Sequence, residues 1–196
     1  MFNIPNLFTA SNMLCGILAI LLSVSGRIDL APFAIYLGAI LDFFDGFLAR
    51  KLNQQGELGK QMDSLADMIT FGVAPGVMML VLLTSVIDPT FNTGNGTPLN
   101  WSVQISFGFW VENIMTGKSF SFLPFIALII PFFSIFRLAK FNIDTRQSDS
   151  FIGLNTPANT IFFILLDTAF PCGSNNASNG ITSISALNFI LFVFNE

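Results

Sequence analysis

Four aspartates in the first third of the chain carry its clearest chemical signal. Asp42 and Asp45 close one strongly apolar segment, and Asp63 and Asp67 open the next. Asp42 and Asp45 are three residues apart and Asp63 and Asp67 four apart, so each pair shares one face of a helix. The connection between the segments is short, around Asn53–Gly59, which predicts an antiparallel hairpin with both pairs at the same end. Four carboxylates converging on one point penalise one another unless something positive compensates them. Divalent cations do so, and ligation by oxygen alone suits Mg²⁺, Mn²⁺ or Ca²⁺. The chain has no His, which removes the usual neutral-pH base and many zinc and haem sites. A blander account makes the four Asp interfacial carboxylates that reach water. Matched pairs argue against it, because each charge carried deep into a bilayer costs about 2.5–3.5 kcal/mol.

The neighbours of these acids narrow the chemistry. Gly46 follows Asp45, and Gly59 lies four residues before Asp63 on the same helical face. Each offers a surface against which a flat group can lie, or a place where helices pack closely. Arg50 suits bidentate phosphate binding or a cytoplasmic anchor, and Lys51 reads as an anchor. Paired cations, an Arg and open glycine surfaces together describe a site for a pyrophosphate-bearing ligand. Two metals can clamp both sides of an in-line phosphoryl displacement. Further along, Arg137 and Lys140 lie three apart on one face. They form either an anion subsite or a pair of snorkelling topology anchors. Asn6, Thr9 and Asn12 recur every three residues as a polar stripe, which interhelical hydrogen bonding or capping also explains. Asp167 is assigned no role.

The elements that must position these residues are membrane helices. The chain is 53% hydrophobic and only 10% charged, with 24 Phe and a single Tyr. Soluble domains carry about 25% charged residues, so the composition predicts an integral membrane protein. Its mean hydropathy of +0.69 agrees. Six spans are predicted: Phe8–Val24, Leu30–Leu52, Asp63–Ile87, Phe120–Phe141, Thr156–Phe170 and Ile181–Phe194. The fold class expected is therefore all-α, a bundle of about six transmembrane helices forming one domain over residues 1–196. The last two spans are short, and the sixth stops almost at the chain end, as it would in a chain cut short. Residues 88–104, rich in Gly, Asn, Thr and Pro, read as an extramembrane loop. The following 106–115 reads as an interfacial helix, with Trp101 and Trp110 at headgroup level. A second loop is expected at 171–180. The N-terminus lacks a basic region and a cleavage site, so the first span reads as a retained helix. Cys15 and Cys172 form no CxxC, and neither disulfide nor thiol chemistry is expected. The net charge of −4 says little about partners, and no nucleic-acid partner is expected. With the N-terminus inside, Arg50, Lys51, Lys60, Arg137, Lys140 and Arg146 face the cytoplasm, and Arg27 and Lys118 face out. The four Asp then open toward the cytoplasm.

The run Asp42-x2-Asp45-Gly46-x2-Ala49-Arg50-x8-Gly59-x3-Asp63-x3-Asp67 resembles, without departure, the signature of the CDP-alcohol phosphotransferases. Flanking blocks, PNLFTASNMLCG, DSLADMITFGVAPG and FRLAKFN followed by FIGLNTPA, look most like the phosphatidylserine synthase branch. The likeness covers about residues 5–160. It implies a six-helix core binding two divalent metals through Asp42, Asp45, Asp63 and Asp67, with the nucleotide and pyrophosphate against Gly46, Ala49, Arg50 and Gly59. It also implies that Asn6, Thr9 and Asn12 contact the nucleotide, and that Asp67 is the general base. The implied substrates are CDP-diacylglycerol and L-serine, with Arg137 and Lys140 toward the acceptor. The implied setting is a bacterial or archaeal cytoplasmic membrane, where a homodimer is compatible with the fold. Another acceptor, glycerol 3-phosphate or an inositol phosphate, is the nearest alternative. A cation transporter is the alternative from another class, although its acids belong at the membrane midplane.

Overall fold

The computed structural model describes residues 4–52, 56–87, 99–118 and 121–143. The expected fifth and sixth spans, Arg146, the block at 151–158, Asp167, Cys172 and the loop 171–180 lie outside these residues, as does most of the loop 88–104.

Helix α1 spans Ile4–Val24 and is built inside out relative to a water-soluble helix. Its buried face is Pro5, Thr9, Asn12, Gly16, Ala19 and Ser23, small or polar residues recurring every three or four positions. Leu7, Leu14, Leu18 and Leu21 point outward and are exposed. Lipid is as apolar as leucine, so a membrane helix gains little by burying large apolar groups; small ones let backbones approach. The helix ends where Gly26 takes a φ of 80° and the N–H of Arg27 reaches back to the carbonyl of Leu22 at 2.9 Å. That wraps the orphan carbonyls of the last turn. Helix α2, Ala31–Lys51, starts with Pro32 in its first turn, where no N–H is needed, and ends with Arg50 and Lys51 against its negative pole. The two helices pack along their lengths around Ala19, Ala34 and Ile35, with Phe71 and Ala74 closing the cluster.

Helix α3, Glu57–Asp67, continues through a π-helical segment, Met68–Val73, into α4, Ala74–Ile87. The widened turn has a cause in the sequence. Pro75 has no N–H to give the carbonyl of Phe71, and its ring would crowd that carbonyl in a regular helix. The N–H of Ala74 instead reaches back five residues to Ile69. Helix α5, Leu99–Thr116, packs Val103 against Met78, Val81, Ile28 and Ala31. Trp110 donates its indole N–H to the carbonyl of Ser121 at 3.0 Å and lies against Phe107 and Phe125. A 3₁₀ segment, Leu123–Leu128, then leads into α6, Ile129–Ile143.

All regular structure among the described residues is helical. Four stretches are long and apolar enough to cross a membrane: Ile4–Val24, Ala31–Lys51, Glu57–Ser85 and Leu123–Lys140. They correspond to the first four expected spans, with three differences at the edges. The third helix begins at Glu57 rather than Asp63, so Gly59 is helical instead of lying in the connection. The helix expected at 106–115 begins at Leu99, taking in residues assigned to the loop. The fourth span opens as a 3₁₀ segment where Pro124 stands. In the first two cases polar residues form helix outside the apolar segment, where a hydropathy scan does not look.

Candidate active site

Helix α2 supplies Asp42 and Asp45, the α3 end of the long rod supplies Asp63 and Asp67, and α1 packs against both. One carboxylate oxygen from each of Asp42, Asp63 and Asp67 lies within 4.8 Å of the others. All three residues are half-buried. Asp45 is outside this set of three. It is 5% exposed, and its Oδ2 accepts a 2.6 Å hydrogen bond from the hydroxyl of Thr9. Asp67 Oδ1 accepts from the side-chain amide of Asn12 at 3.4 Å. The acids are not at the helix ends: α2 runs on through Gly46–Lys51, and α3 begins two turns before Asp63. The extra turns carry Arg50, Lys51, Glu57 and Lys60, which suits a headgroup region.

A cation fits this arrangement on the structure's own terms. Asp63 Oδ1 is buried and has no hydrogen-bond partner among the described residues. A buried acceptor of that kind is costly unless something completes it. Three clustered carboxylates with an unsatisfied oxygen form a hard, all-oxygen donor set, which suits Mg²⁺, Mn²⁺ or Ca²⁺.

The remaining expected residues fall in three places. Around Gly46 there is room: an added Cβ would meet only the Arg50 guanidinium, 3.8 Å away. Arg50 folds back along its own helix, with Nε donating to the Gly46 carbonyl at 3.1 Å, and Ala49 is half-buried beside it. Phe43, Phe47, Arg50 and Lys51 line a groove on the same helix. Across the cluster, Gly59 faces Asn6, whose Oδ1 stands 3.4 Å from where a Cβ would be. Arg137 and Lys140 ride on α6, half-buried and exposed respectively. Their level is fixed by two contacts: Gly72 packs on Ser134, and Gly76 packs on Pro131. The antiparallel register carries Arg137 to the height of Asp67, about one turn beyond Ser134.

Thr70 has a part in the site that its place in an apolar run does not announce. It is fully buried, three residues after Asp67 in the π segment, and its hydroxyl donates to the backbone carbonyl of Asn12 at 3.0 Å. Gly16 and Gly38 make room for it: a Cβ on Gly16 would stand 2.6 Å from Thr70 Oγ1, and one on Gly38 2.8 Å from Thr70 Cγ2. A lone Thr in an apolar run looks unremarkable, because the contact that matters is 58 residues away in sequence.

The family model of CDP-alcohol phosphatidyltransferases matches residues 2–173. The CDP-diacylglycerol–serine O-phosphatidyltransferase of Bacillus subtilis is 32% identical over 171 residues, covering 85% of this chain and 76% of that protein. The enzyme of the same name from Helicobacter pylori is 33% identical over 196 residues, covering 97% and 69%. An archaetidylserine synthase from Methanothermobacter thermautotrophicus is 31% identical over 156 residues, covering 79% and 53%. No solved structure matches the chain. With its aspartate signature intact and the family model matching most of its length, the chain belongs to the CDP-alcohol phosphatidyltransferase family.

Proposed function

We propose that this protein transfers the phosphatidyl group of CDP-diacylglycerol to L-serine, giving phosphatidylserine and CMP. The observation that carries the reading is the meeting of Asp42, Asp63 and Asp67 within 4.8 Å, in a chain whose relatives are named for that reaction. Asp42, Asp45, Asp63 and Asp67 would hold two divalent cations, which would supply charge neutralisation to the pyrophosphate and the departing phosphate. The open surface at Gly46 and Ala49, with Gly59 and Asn6 opposite, takes the nucleotide, and Arg50 takes a phosphate oxygen.

Asp67 acts as general base. It takes the proton of the serine hydroxyl as that oxygen attacks the phosphorus bearing diacylglycerol. The new O–P bond forms, the bond to the bridging oxygen breaks, and CMP leaves with the electron pair. With no His in the chain, a carboxylate is the natural candidate for this role. Among the described residues no activated Ser, Cys or Lys is placed to form a phosphatidyl-enzyme, which supports a direct displacement. Arg137, at the height of Asp67, and Lys140, one turn further along α6, hold the serine carboxylate. The whole is one membrane domain of six helices in a bacterial or archaeal cytoplasmic membrane. Its site faces the cytoplasm, as the six basic residues assigned to that side against two on the other support.

The test is purified protein with CDP-diacylglycerol and separate acceptors: serine, ethanolamine, glycerol 3-phosphate and inositol phosphate. Serine should enter the lipid fraction with stoichiometric CMP, and ethanolamine, which lacks the carboxylate, should be poor. Preference for glycerol 3-phosphate or inositol phosphate would overturn the acceptor while leaving the phosphotransfer site intact. Ion flux with no CMP release would overturn both.

A further inference from the structure

Helix α1 contributes no carboxylate, yet it touches the acids of both other helices. Thr9 and Asn12 lie one turn apart on its buried face, 4% and 0% exposed. The Thr9 hydroxyl, within 3.2 Å of its own helix carbonyl at Pro5, donates to Asp45 on α2 at the shorter distance of 2.6 Å. The Asn12 amide donates to Asp67 on α3 at 3.4 Å. Two donors on one rigid helix therefore reach two acids that belong to different helices.

Asn12 itself has little freedom. Its backbone carbonyl receives the Thr70 hydroxyl, and its Oδ1 stands 2.9 Å from the position a Cβ on Gly38 would occupy. Thr70 is held in turn by the backbone surfaces of Gly16 and Gly38. Fully buried and close against Gly38, the Asn12 side chain is packed in place beside Asp67. Its Oδ1 is buried with no hydrogen-bond partner among the described residues. The site therefore keeps this amide at a cost that a residue chosen for packing alone would not impose.

We propose that Thr9 and Asn12 are positioning residues: one donor on α1 orients Asp45 and the other orients Asp67, and the helix turn between them sets the spacing at which the acids of α2 and α3 receive a divalent cation. This assigns the two side chains to the carboxylates rather than to the nucleotide. It rests on the reading of the acids as a cation site. Groups that hold a metal's ligands in place commonly change affinity by about 10- to 100-fold when removed. A bond that merely ties helices together has no reason to do so.

The experiment is Mn²⁺ binding to the purified, metal-stripped protein without substrates, read as free Mn²⁺ by electron paramagnetic resonance, with thermal melting of the same samples. Wild type should bind Mn²⁺. Thr9→Val, nearly the same shape without the donor, should weaken binding about 10- to 100-fold, and so should Asn12→Ala. Thr9→Ser, which keeps the hydroxyl, should return to within about threefold of wild type. Should Thr9→Val not fold, Thr9→Ala makes the same comparison against Thr9→Ser. Wild-type Mn²⁺ affinity in both Thr9→Val and Asn12→Ala would overturn the positioning role while leaving the cation site standing. A wild type that binds no Mn²⁺ would overturn the cation site and this proposal with it.

Discussion

Two glycines eight residues apart on α2 meet opposite surroundings. Gly38 is pressed against Thr70 and Asn12, with no room for a methyl group, whereas Gly46 looks into space. Gly16 on α1 belongs with the first and completes a junction where α1, α2 and the π segment touch backbone to side chain. Gly46 belongs with the carboxylates, one turn up, where a ligand must enter. The molecule thus has a closed frame directly beneath an open site. Glycine in a membrane helix serves closure or access, and only its neighbours say which. Substitutions should therefore separate into those that cost activity and those that cost stability.

The largest effect is expected at the open end. Asp63→Asn removes a charged oxygen from the cation site, and charge neutralisation by such a metal is worth several kcal/mol. CMP release should fall about 1,000-fold or more, while thermal stability holds or rises because a like-charge contact is gone. A destabilised Asp63→Asn with activity in proportion would place Asp63 in the frame instead. Next is Arg137→Ala, on α6 at the height of Asp67. A lost charge-assisted hydrogen bond is worth roughly 1.5–3 kcal/mol, so the serine KM should rise about ten- to a hundredfold with CDP-diacylglycerol binding spared. An unchanged KM there and in Lys140→Ala would return both residues to membrane anchoring.

The closed frame should answer differently. Gly16→Ala puts a methyl group 2.6 Å from Thr70 Oγ1 and 2.8 Å from its Cα, and backbone cannot step aside as a side chain tip can. Overpacking of this kind costs about 1–3 kcal/mol, visible as a lowered melting temperature in detergent. The smallest effect belongs to Gly46→Ala, which meets open space and gains helix propensity, so stability should change by no more than about +0.4 to +1 kcal/mol. Gly46→Leu fills the same space and should reduce competition by CMP without lowering the melting temperature. Equal melting temperatures for Gly16→Ala and Gly46→Ala would erase the distinction between frame and site.

The open end was largely legible in the sequence, and the frame was not. Asp42, Asp45, Asp63 and Asp67 announce themselves because charge is expensive in an apolar segment and their spacing follows the helix turn. The first four spans follow from hydropathy, to within a few residues wherever apolar character and helix end together. Where they part, at Glu57–Met62 and Leu99–Ile105, polar helical turns escape the scan. Convergence of the acids was predicted from the hairpin. That three of them gather while Asp45 turns to Thr9 depends on the rotation of helices about their axes, which periodicity fixes only loosely. Thr70 and Gly16 fall inside the quoted flanking blocks, but their contact with each other and with Gly38 left no trace, since close approach between backbones is a tertiary fact carried by residues too common to stand out. The π turn is traceable afterwards to Pro75, but a proline in a membrane helix has several outcomes, of which a widened turn is one.

If the clustered aspartates work through divalent cations to move a phosphatidyl group onto serine, the metal should control turnover itself. Serine-dependent CMP release from CDP-diacylglycerol by the metal-stripped protein, titrated with Mg²⁺ or Mn²⁺, measures this. Release should be absent in excess EDTA and return saturably as the cation is restored, with Asp63→Asn failing to respond. Undiminished, serine-dependent release in excess EDTA would contradict it.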